Sequence, residues 1–133
     1  MERRLLFVED DANFRKVFTG LMREALAPER LDVAFVEAGT LAQARTRLRE
    51  GALDAALIDV TMPDGDGLEL VGEIHDGGLG RAIPTLVLTA SLETSVAGRA
   101  MEAGARGVFS KLASMPETVA AIKRLTATQE ASE

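Results

Sequence analysis

The sequence predicts a doubly wound α/β fold, in which one parallel β-sheet lies between two layers of helices. Short apolar runs without polar alternation are typical of parallel strands that are covered on both faces. Segments with an apolar residue at every third or fourth position, the spacing of an amphipathic helix, separate these runs. The alternation occurs five times in 133 residues, and connections of this length suit right-handed crossovers within a single sheet.

Five segments are predicted to form the strands. Three of them are the apolar runs LLFV (5–8), AALI (55–58) and TLVL (85–88). The segment LDVAFVEA from Leu31 puts Val33 and Phe35 on one side and Asp32 on the other, which is closer to the alternation of an edge strand. The short segment RGVFSK from Arg106 is the fifth predicted strand.

The segments between the strands carry helix signals. One predicted apolar stripe, on the first helix, consists of Phe14, Val17, Phe18, Leu21 and Ala25. Capping-box patterns mark three later helix starts, at Thr40 with Gln43, Asp66 with Glu69, and Ser114 with Glu117. The last segment, TATQEASE, loses periodicity and apolar content. We therefore predict one domain over residues 1–126 and a disordered tail or the start of a linker over 127–133.

Composition excludes several classes of function. The formal net charge of -6 gives no summed positive field for nucleic acid or an anionic membrane. The absence of cysteine excludes disulfides, thiol catalysis and cysteine-ligated metals. Only four apolar residues follow Arg3 and Arg4, too few for the core of a signal peptide or a membrane span. We expect a cytoplasmic protein that binds neither membrane nor nucleic acid directly.

Reactive side chains follow the predicted strands at their carboxyl ends, the edge at which open α/β sheets bind ligands. These are Glu9, Asp10 and Asp11 after the first strand, Asp59 after the third, Thr89 after the fourth and Lys111 after the fifth. Carboxylates that gather without a cation repel one another, and an all-oxygen ligand set favours Mg²⁺. A lysine adds a point charge for an anionic group. Together these groups suit phosphoryl transfer to a carboxylate, with Asp59 as the nucleophile.

The surrounding motifs resemble the receiver domain of two-component response regulators. The matching residues are Glu9-Asp10, IDVTMPDGDG with Asp59, Met62-Pro63 and Gly67, LTA with Thr89, and GVFSK with Phe109 and Lys111. They follow one another in order over nearly the whole chain. The resemblance implies a flavodoxin-like (βα)5 three-layer sandwich with strand order 2-1-3-4-5. KLASMPETVAAIKRL further resembles the last helix of the helix-turn-helix-linked class that includes the nitrate regulators, which implies a DNA-binding domain beyond this chain.

The resemblance implies a phosphoacceptor and a metal site. Asp59 would accept the phosphoryl group, and it would bind Mg²⁺ together with Glu9, Asp10 and the backbone carbonyl of Thr61. Asp11 then falls in the loop or at the start of the first helix. The remaining aspartates of the DGDG motif are predicted to shape the loop and to start the next helix.

The resemblance also implies the conformational readout and the partners. Thr89 would bind the phosphoryl group and move toward it, Lys111 would pair with it, and Phe109 would be the aromatic that changes rotamer. The donor would be a sensor histidine kinase or a phosphotransfer protein. The phosphorylated domain would change the surface formed by the fourth helix, fifth strand and fifth helix, would form a homodimer, and would slowly hydrolyse its own phosphoryl group. In the family, proline often follows the lysine, where this chain has Leu112.

Other interpretations fit less of the sequence. A haloacid-dehalogenase-like phosphatase also uses a strand-end aspartate with Mg²⁺, but it carries a second acid where Thr61 stands. A calcium loop that starts at Asp64 fails at its third ligand position, Leu68. A flavodoxin-like cofactor binder needs a hydroxyl-rich phosphate loop where this chain has the acidic segment EDDAN. A receiver kept only as a scaffold is disfavoured because every charged site residue is present.

Overall fold

Five parallel strands form the central sheet of the protein. The computed structural model describes residues 2–29, 32–90, 94–111 and 115–131. The strands are β1 (Arg3–Val8), β2 (Val33–Ala38), β3 (Ala55–Asp59), β4 (Thr85–Thr89) and β5 (Gly107–Ser110). They lie in the order β2-β1-β3-β4-β5, and all neighbouring pairs are parallel. This confirms the predicted doubly wound fold and its strand order.

Five α-helices alternate with the strands. They are α1 (Ala12–Leu26), α2 (Leu41–Glu50), α3 (Gly67–His75), α4 (Thr94–Ala103) and α5 (Met115–Ala131), and a short 3-10 helix, Ala27–Glu29, follows α1. α5 continues beyond residue 126, and the assignment of residues 127–133 to a tail or linker stays a prediction. Ser114 of the third predicted capping box, and Leu112, lie outside the described residues. Among the described helices, none has the length and apolar content needed to cross a membrane.

The core consists of two apolar layers, one on each face of the sheet. Alternate residues of each buried strand point to opposite faces. Leu5 and Phe7 belong to the layer covered by α1 and α5, whereas Leu6 and Val8 belong to the layer covered by α2, α3 and α4. The first layer contains all five phenylalanines of the chain, which are Phe7, Phe14, Phe18, Phe35 and Phe109. The two faces of the sheet therefore differ in chemistry.

The buried face of α1 differs from the predicted stripe. Phe18, Met22 and Leu26 are buried, whereas Val17 is 60% exposed and Leu21 is 45% exposed. Apolar residues occupy neighbouring positions 17 and 18, and again 21 and 22, so the apolar arc is wider than the contact with the sheet. Periodicity locates such an arc but not its centre. The prediction was wrong for these two exposed side chains.

Side-chain caps begin the first three helices. Asp11, Thr40 and Asp66 each accept a backbone N–H from the first turn of α1, α2 and α3. In α2 the Gln43 side chain also accepts the N–H of Gly39 at 2.8 Å, one residue before the N-cap Thr40, whereas a capping box uses the N–H of the N-cap itself. Asp11 is therefore the N-cap of α1, and its carboxylate is engaged there.

Candidate functional site

Three carboxylates meet at the carboxyl edge of the sheet. Glu9 and Asp10 follow β1, and Asp59 ends the neighbouring strand β3. One oxygen atom from each carboxylate lies within 4.8 Å of the others. Glu9 is fully buried and Asp59 is 5% exposed, whereas Asp10 is exposed to solvent. The predicted acid cluster is therefore formed, with Asp10 on its solvent side.

Lys111 places its ammonium group within this cluster. Its Nζ atom lies 2.5 Å from Oε1 of Glu9 and 3.2 Å from Oδ2 of Asp59. The backbone N–H of Lys111 donates to the carbonyl of Thr89 at 2.9 Å, which fixes the end of β5 against β4. The side chain of Lys111 is 16% exposed, so its positive charge is directed largely at the two carboxylates.

The charged groups of the site shift one another's pKa values. Burial raises the pKa of Glu9, and the charge of Asp59 also raises it, while the contacts with Lys111 and the N–H of Asp11 lower it in part. Burial alone would lower the pKa of Lys111, but its hydrogen bond with Glu9 and the charge of Asp59 outweigh this effect and raise it. Lys111 therefore stays protonated near neutral pH, and it is the cation that compensates the buried acids within the described residues.

The donor set fits a hard divalent cation. It consists of carboxylate oxygens that already lie close together, and one of the carboxylates is fully buried. Carboxylate oxygen is the ligand type that Mg²⁺ prefers, usually together with several waters. The exposed Asp10 provides the side from which a hydrated ion can enter.

The loop between β3 and α3 is held close to Asp59. In this loop a two-residue antiparallel ladder pairs Thr61 and Met62 with Asp66 and Gly65. The N–H of Thr61 donates to Oδ1 of Asp59 at 3.3 Å. Thr61 therefore belongs to the site through its N–H, and the role of its carbonyl as a metal ligand stays a prediction.

Two carboxylates of the DGDG motif anchor the loop to the surrounding helices. Asp64 accepts the N–H groups of Leu41 and Ala42, at 2.8 and 3.0 Å, in the first turn of α2. These backbone donors lower the pKa of Asp64. Asp66 caps α3 and also forms an ion pair with Arg99 of α4 at 2.7 Å. Both carboxylates therefore have the structural role predicted for them.

Gly67 allows the loop to pack against the end of β3. A Cβ atom at this position would lie 1.9 Å from the main-chain oxygen of Asp59. The N–H of Gly67 also donates to the carbonyl of Val60 at 2.7 Å. Because a side chain has no room here, the start of α3 can approach the backbone of Asp59 only with glycine.

Thr89 and Phe109 lie on opposite faces of the sheet. The alternation of β4 puts Thr89 on the face of Val87, in the layer of α2, α3 and α4. Phe109 pairs with Leu88 and packs in the layer of α1 and α5. The structure therefore brings Thr89 to the carboxyl edge, where it is 5% exposed, but does not bring Phe109 to Thr89.

The position of Phe109 on the opposite face of the sheet from Thr89 follows from the alternation of side chains along β5. Phe109 precedes Lys111 by two residues, and both lie on the face of α1 and α5, where Phe109 packs in the apolar layer and Lys111, just after β5, contacts Phe14. The side chains of β5 on the face of Thr89 are Val108 and Ser110, and Val108 packs in the layer of α2, α3 and α4. The ring of Phe109 instead lies over Gly107, where a Cβ atom would be 2.9 Å from Cε2 of the ring. A rotamer change of Phe109 stays a prediction.

Sequence reasoning missed two residues of α1 that complete the site. The guanidinium group of Arg15 donates to the main-chain oxygen of Glu9 and, at 3.0 Å, to the carboxylate of Glu37. The ring of Phe14 lies beneath the ammonium group of Lys111, with 4.6 Å between Nζ and the ring centroid. The only signal for these roles was their position in the first turns of the helix that follows the acid pair.

Comparisons with known proteins agree on one family. The profile of the response regulator receiver domain matches residues 5–123. The phosphate regulon transcriptional regulatory protein PhoB of Escherichia coli (strain K12) is 32% identical over 123 residues, which are 92% of this chain and 51% of that protein. The chain spans about half the length of the curated relatives it matches.

Solved structures show the same fold. The signal receiver domain of a DNA-binding response regulator from Colwellia psychrerythraea 34H superimposes with a TM-score of 0.83 at 21% identity, over 94% of this chain and 98% of that one. A two-component response regulator of the LuxR family from Aurantimonas sp. SI85-9A1 gives 0.81 at 28% identity, over 96% and 87%. The match over residues 5–123 extends across both layers and the acid cluster. The chain therefore belongs to the receiver-domain family of two-component response regulators.

Proposed function

We propose that this chain is a phosphorylation-controlled switch that accepts a phosphoryl group on Asp59. The observation that carries the proposal is the position of the Asp59 carboxylate, which is buried at the strand end with Lys111 at 3.2 Å and two further acids beside it. Membership of the receiver family supports phosphorylation-dependent signalling in general. The donor we propose is the phosphohistidine of a sensor histidine kinase or of a phosphotransfer protein.

The transfer step follows from the groups that surround Asp59. A carboxylate oxygen of Asp59 attacks the phosphorus atom, an O–P bond forms, and the P–N bond to the donor imidazole breaks. The electron pair of that bond returns to the imidazole nitrogen, which takes up a proton. Lys111 compensates the negative charge on the phosphoryl oxygens, and the N–H of Thr61 holds the other carboxylate oxygen in place.

Glu9, Asp10 and Asp59, together with the backbone carbonyl of Thr61, are the residues that would hold Mg²⁺. When bound, the ion supplies positive charge that stabilises the phosphoryl oxygens during transfer. Glu9 and Lys111 form an ion pair, and this contact offsets part of the effect of burial on the pKa of Glu9. The same protein groups serve slow hydrolysis, in which water attacks the phosphorus atom, the O–P bond to Asp59 breaks, and inorganic phosphate leaves the free carboxylate behind.

The proposed output is a change of surface at α4, β5 and α5. Thr89 moves toward the phosphoryl group, and α4 follows because it packs on the same face of the sheet. The readout of that change is an output domain, a partner protein or a second copy of the chain. The DNA-binding names of the relatives favour an output domain that binds DNA.

An Asp59→Asn variant tests the proposal. Wild-type protein with Mg²⁺ and acetyl phosphate is expected to gain the mass of one phosphoryl group, and Asp59→Asn is expected to gain none. Asp11→Asn is the matched control, because asparagine caps a helix as well as aspartate does, and it should be phosphorylated like the wild type. Equal phosphorylation of Asp59→Asn and wild type would overturn the assignment.

A further inference from the structure

We infer that Phe14 is a positioning residue for Lys111, and that it fixes the ammonium group in the place from which it can contact the phosphoryl group. The inference rests on the proposed function of Asp59. It concerns a different element of the chain, since Phe14 lies in α1 and Lys111 follows β5.

Within the described residues, three groups surround the ammonium group of Lys111. Two are the carboxylates of Glu9 and Asp59, and the third is the ring of Phe14, at 4.6 Å from Nζ to the centroid. A cation at this distance over an aromatic face is attracted by the negative face of the ring. The side chain of Lys111 is 16% exposed, so water competes little with this contact.

The ring itself is held firmly by other aromatic side chains. Phe14 stacks on Phe18, with 5.6 Å between centroids and 26° between planes, and meets the edge of Phe7 at 6.4 Å. Phe7 is fully buried in β1, two residues before Glu9. The aromatic cluster is therefore built onto the same strand that delivers the acid, and Phe14 is the member that contacts the lysine.

An aromatic ring suits this position better than a third acid would. When Asp59 carries a phosphoryl group, the ammonium must exchange carboxylate contacts for phosphoryl oxygens. The carboxylates compete with the phosphoryl group for the N–H donors, whereas the ring attracts the cation through its face and accepts no conventional hydrogen bond. Phe14 thus limits the positions of Nζ without occupying the donors that the phosphoryl group needs.

Phosphorylation kinetics and side-chain NMR test the inference together. Phe14→Leu is expected to slow phosphorylation by acetyl phosphate about 2- to 30-fold, the range that corresponds to a lost cation–aromatic contact. Phe14→Tyr keeps the aromatic face and should react like the wild type. The ε-methylene protons of Lys111 should show a ring-current shift that Phe14→Leu abolishes and Phe14→Tyr retains, and a purely structural role would not produce this pattern.

Phe35→Leu is the matched control. Phe35 belongs to the same apolar layer, and the guanidinium carbon of Arg23 lies 5.6 Å from its ring centroid. Phe35 lies in β2 and not on a strand that carries an acid of the cluster. This variant loses the same atoms and should keep the wild-type phosphorylation rate.

The outcomes separate this inference from the proposed function. If Phe35→Leu slows phosphorylation as much as Phe14→Leu, the effect is one of packing and the inference is overturned. It is also overturned if Phe14→Leu reacts at the wild-type rate while the wild type itself is phosphorylated on Asp59. If the wild type is not phosphorylated at all, the proposed function fails and the inference fails with it, although the ring-current shift would still report the contact.

Discussion

Replacing Gly67 by alanine should damage the fold and the site together, because the new methyl group meets backbone. The Cβ atom would lie 1.9 Å from the main-chain oxygen of Asp59, well inside the 3.0 Å that real Cβ atoms keep. That oxygen belongs to a buried strand and cannot rotate away as a flexible side chain could. The start of α3 must therefore move, and the hydrogen bond from Gly67 to Val60 at 2.7 Å is stretched or lost.

The expected cost combines two effects. Overpacking of a well-packed site typically costs about 1–3 kcal/mol, and loss of one backbone hydrogen bond adds about 1 kcal/mol. We therefore expect Gly67→Ala to lower the free energy of unfolding by about 2–4 kcal/mol. Because the clash is with Asp59 itself, the folded fraction of this variant should also accept a phosphoryl group more slowly than the wild type.

Gly72→Ala is the control on the same helix. Gly72 lies inside α3, and a Cβ atom there would meet no atom within 4 Å. Alanine is favoured over glycine in a helix interior by about 0.8–1.0 kcal/mol, so this variant should be slightly more stable than the wild type. Glycine-to-alanine substitution in α3 should therefore lower the free energy of unfolding at position 67 and raise it at position 72.

Urea denaturation followed by far-UV circular dichroism measures both variants. The chain contains no tryptophan or tyrosine, so intrinsic fluorescence is a poor probe. With a urea m-value of about 1–3 kcal/mol per molar, the two variants should unfold at clearly different urea concentrations. The reasoning is refuted if Gly67→Ala unfolds at the same urea concentration as Gly72→Ala or the wild type.

Three further predictions concern the charged residues. Asp10→Asn should weaken Mg²⁺ binding, measured from amide chemical shifts during titration, whereas Asp11→Asn should leave it unchanged because Asp11 caps α1. Asp66→Ala should destabilise the protein by about 1 kcal/mol in urea denaturation, and Asp66→Asn, which can still cap α3, should lose much less. Arg45 holds the pKa of Glu73 below its ordinary value, so the pair stabilises the protein above pH 4.5 and that contribution is lost as pH falls through the lowered pKa. Glu73→Gln should therefore make the urea midpoint less sensitive to acid, and an unchanged acid dependence would contradict this role.

The elements that sequence predicts best are those with a simple period or a local cap. The apolar runs of β1, β3 and β4 are buried on both faces, so apolar residues fill them almost throughout, with Thr85 as the buried polar exception. Thr40 and Asp66 act within three residues of their own position, and a local pattern is sufficient to find them. The acid cluster could be predicted because the carboxyl ends of parallel strands lie at the same edge of the sheet.

The parts that sequence did not predict depend on contacts between distant elements. Val17 and Leu21 were assigned to the buried stripe because helical period alone does not show which part of a wide apolar arc faces the sheet. The contact of Phe14 with Lys111 joins residues nearly a hundred positions apart in the chain. No local pattern contains such a contact, because it depends on α1 and the end of β5 lying on the same face of the sheet.

The two faces of the sheet give the proposed switch two separate connections to Asp59. Lys111, Phe14 and Phe109 lie on the face of α1 and α5, where all five phenylalanines of the chain pack. Thr89 lies on the other face, where its partner in β5 is Ser110 and Val108 lies beside Val87. A displacement of Thr89 toward a phosphoryl group would therefore be transmitted to α4 through aliphatic contacts, because that layer contains no phenylalanine, tyrosine or tryptophan. A displacement of Lys111 would be transmitted to α1 and α5 through the aromatic layer, so the chemistry of one carboxylate can reach both faces by different side chains.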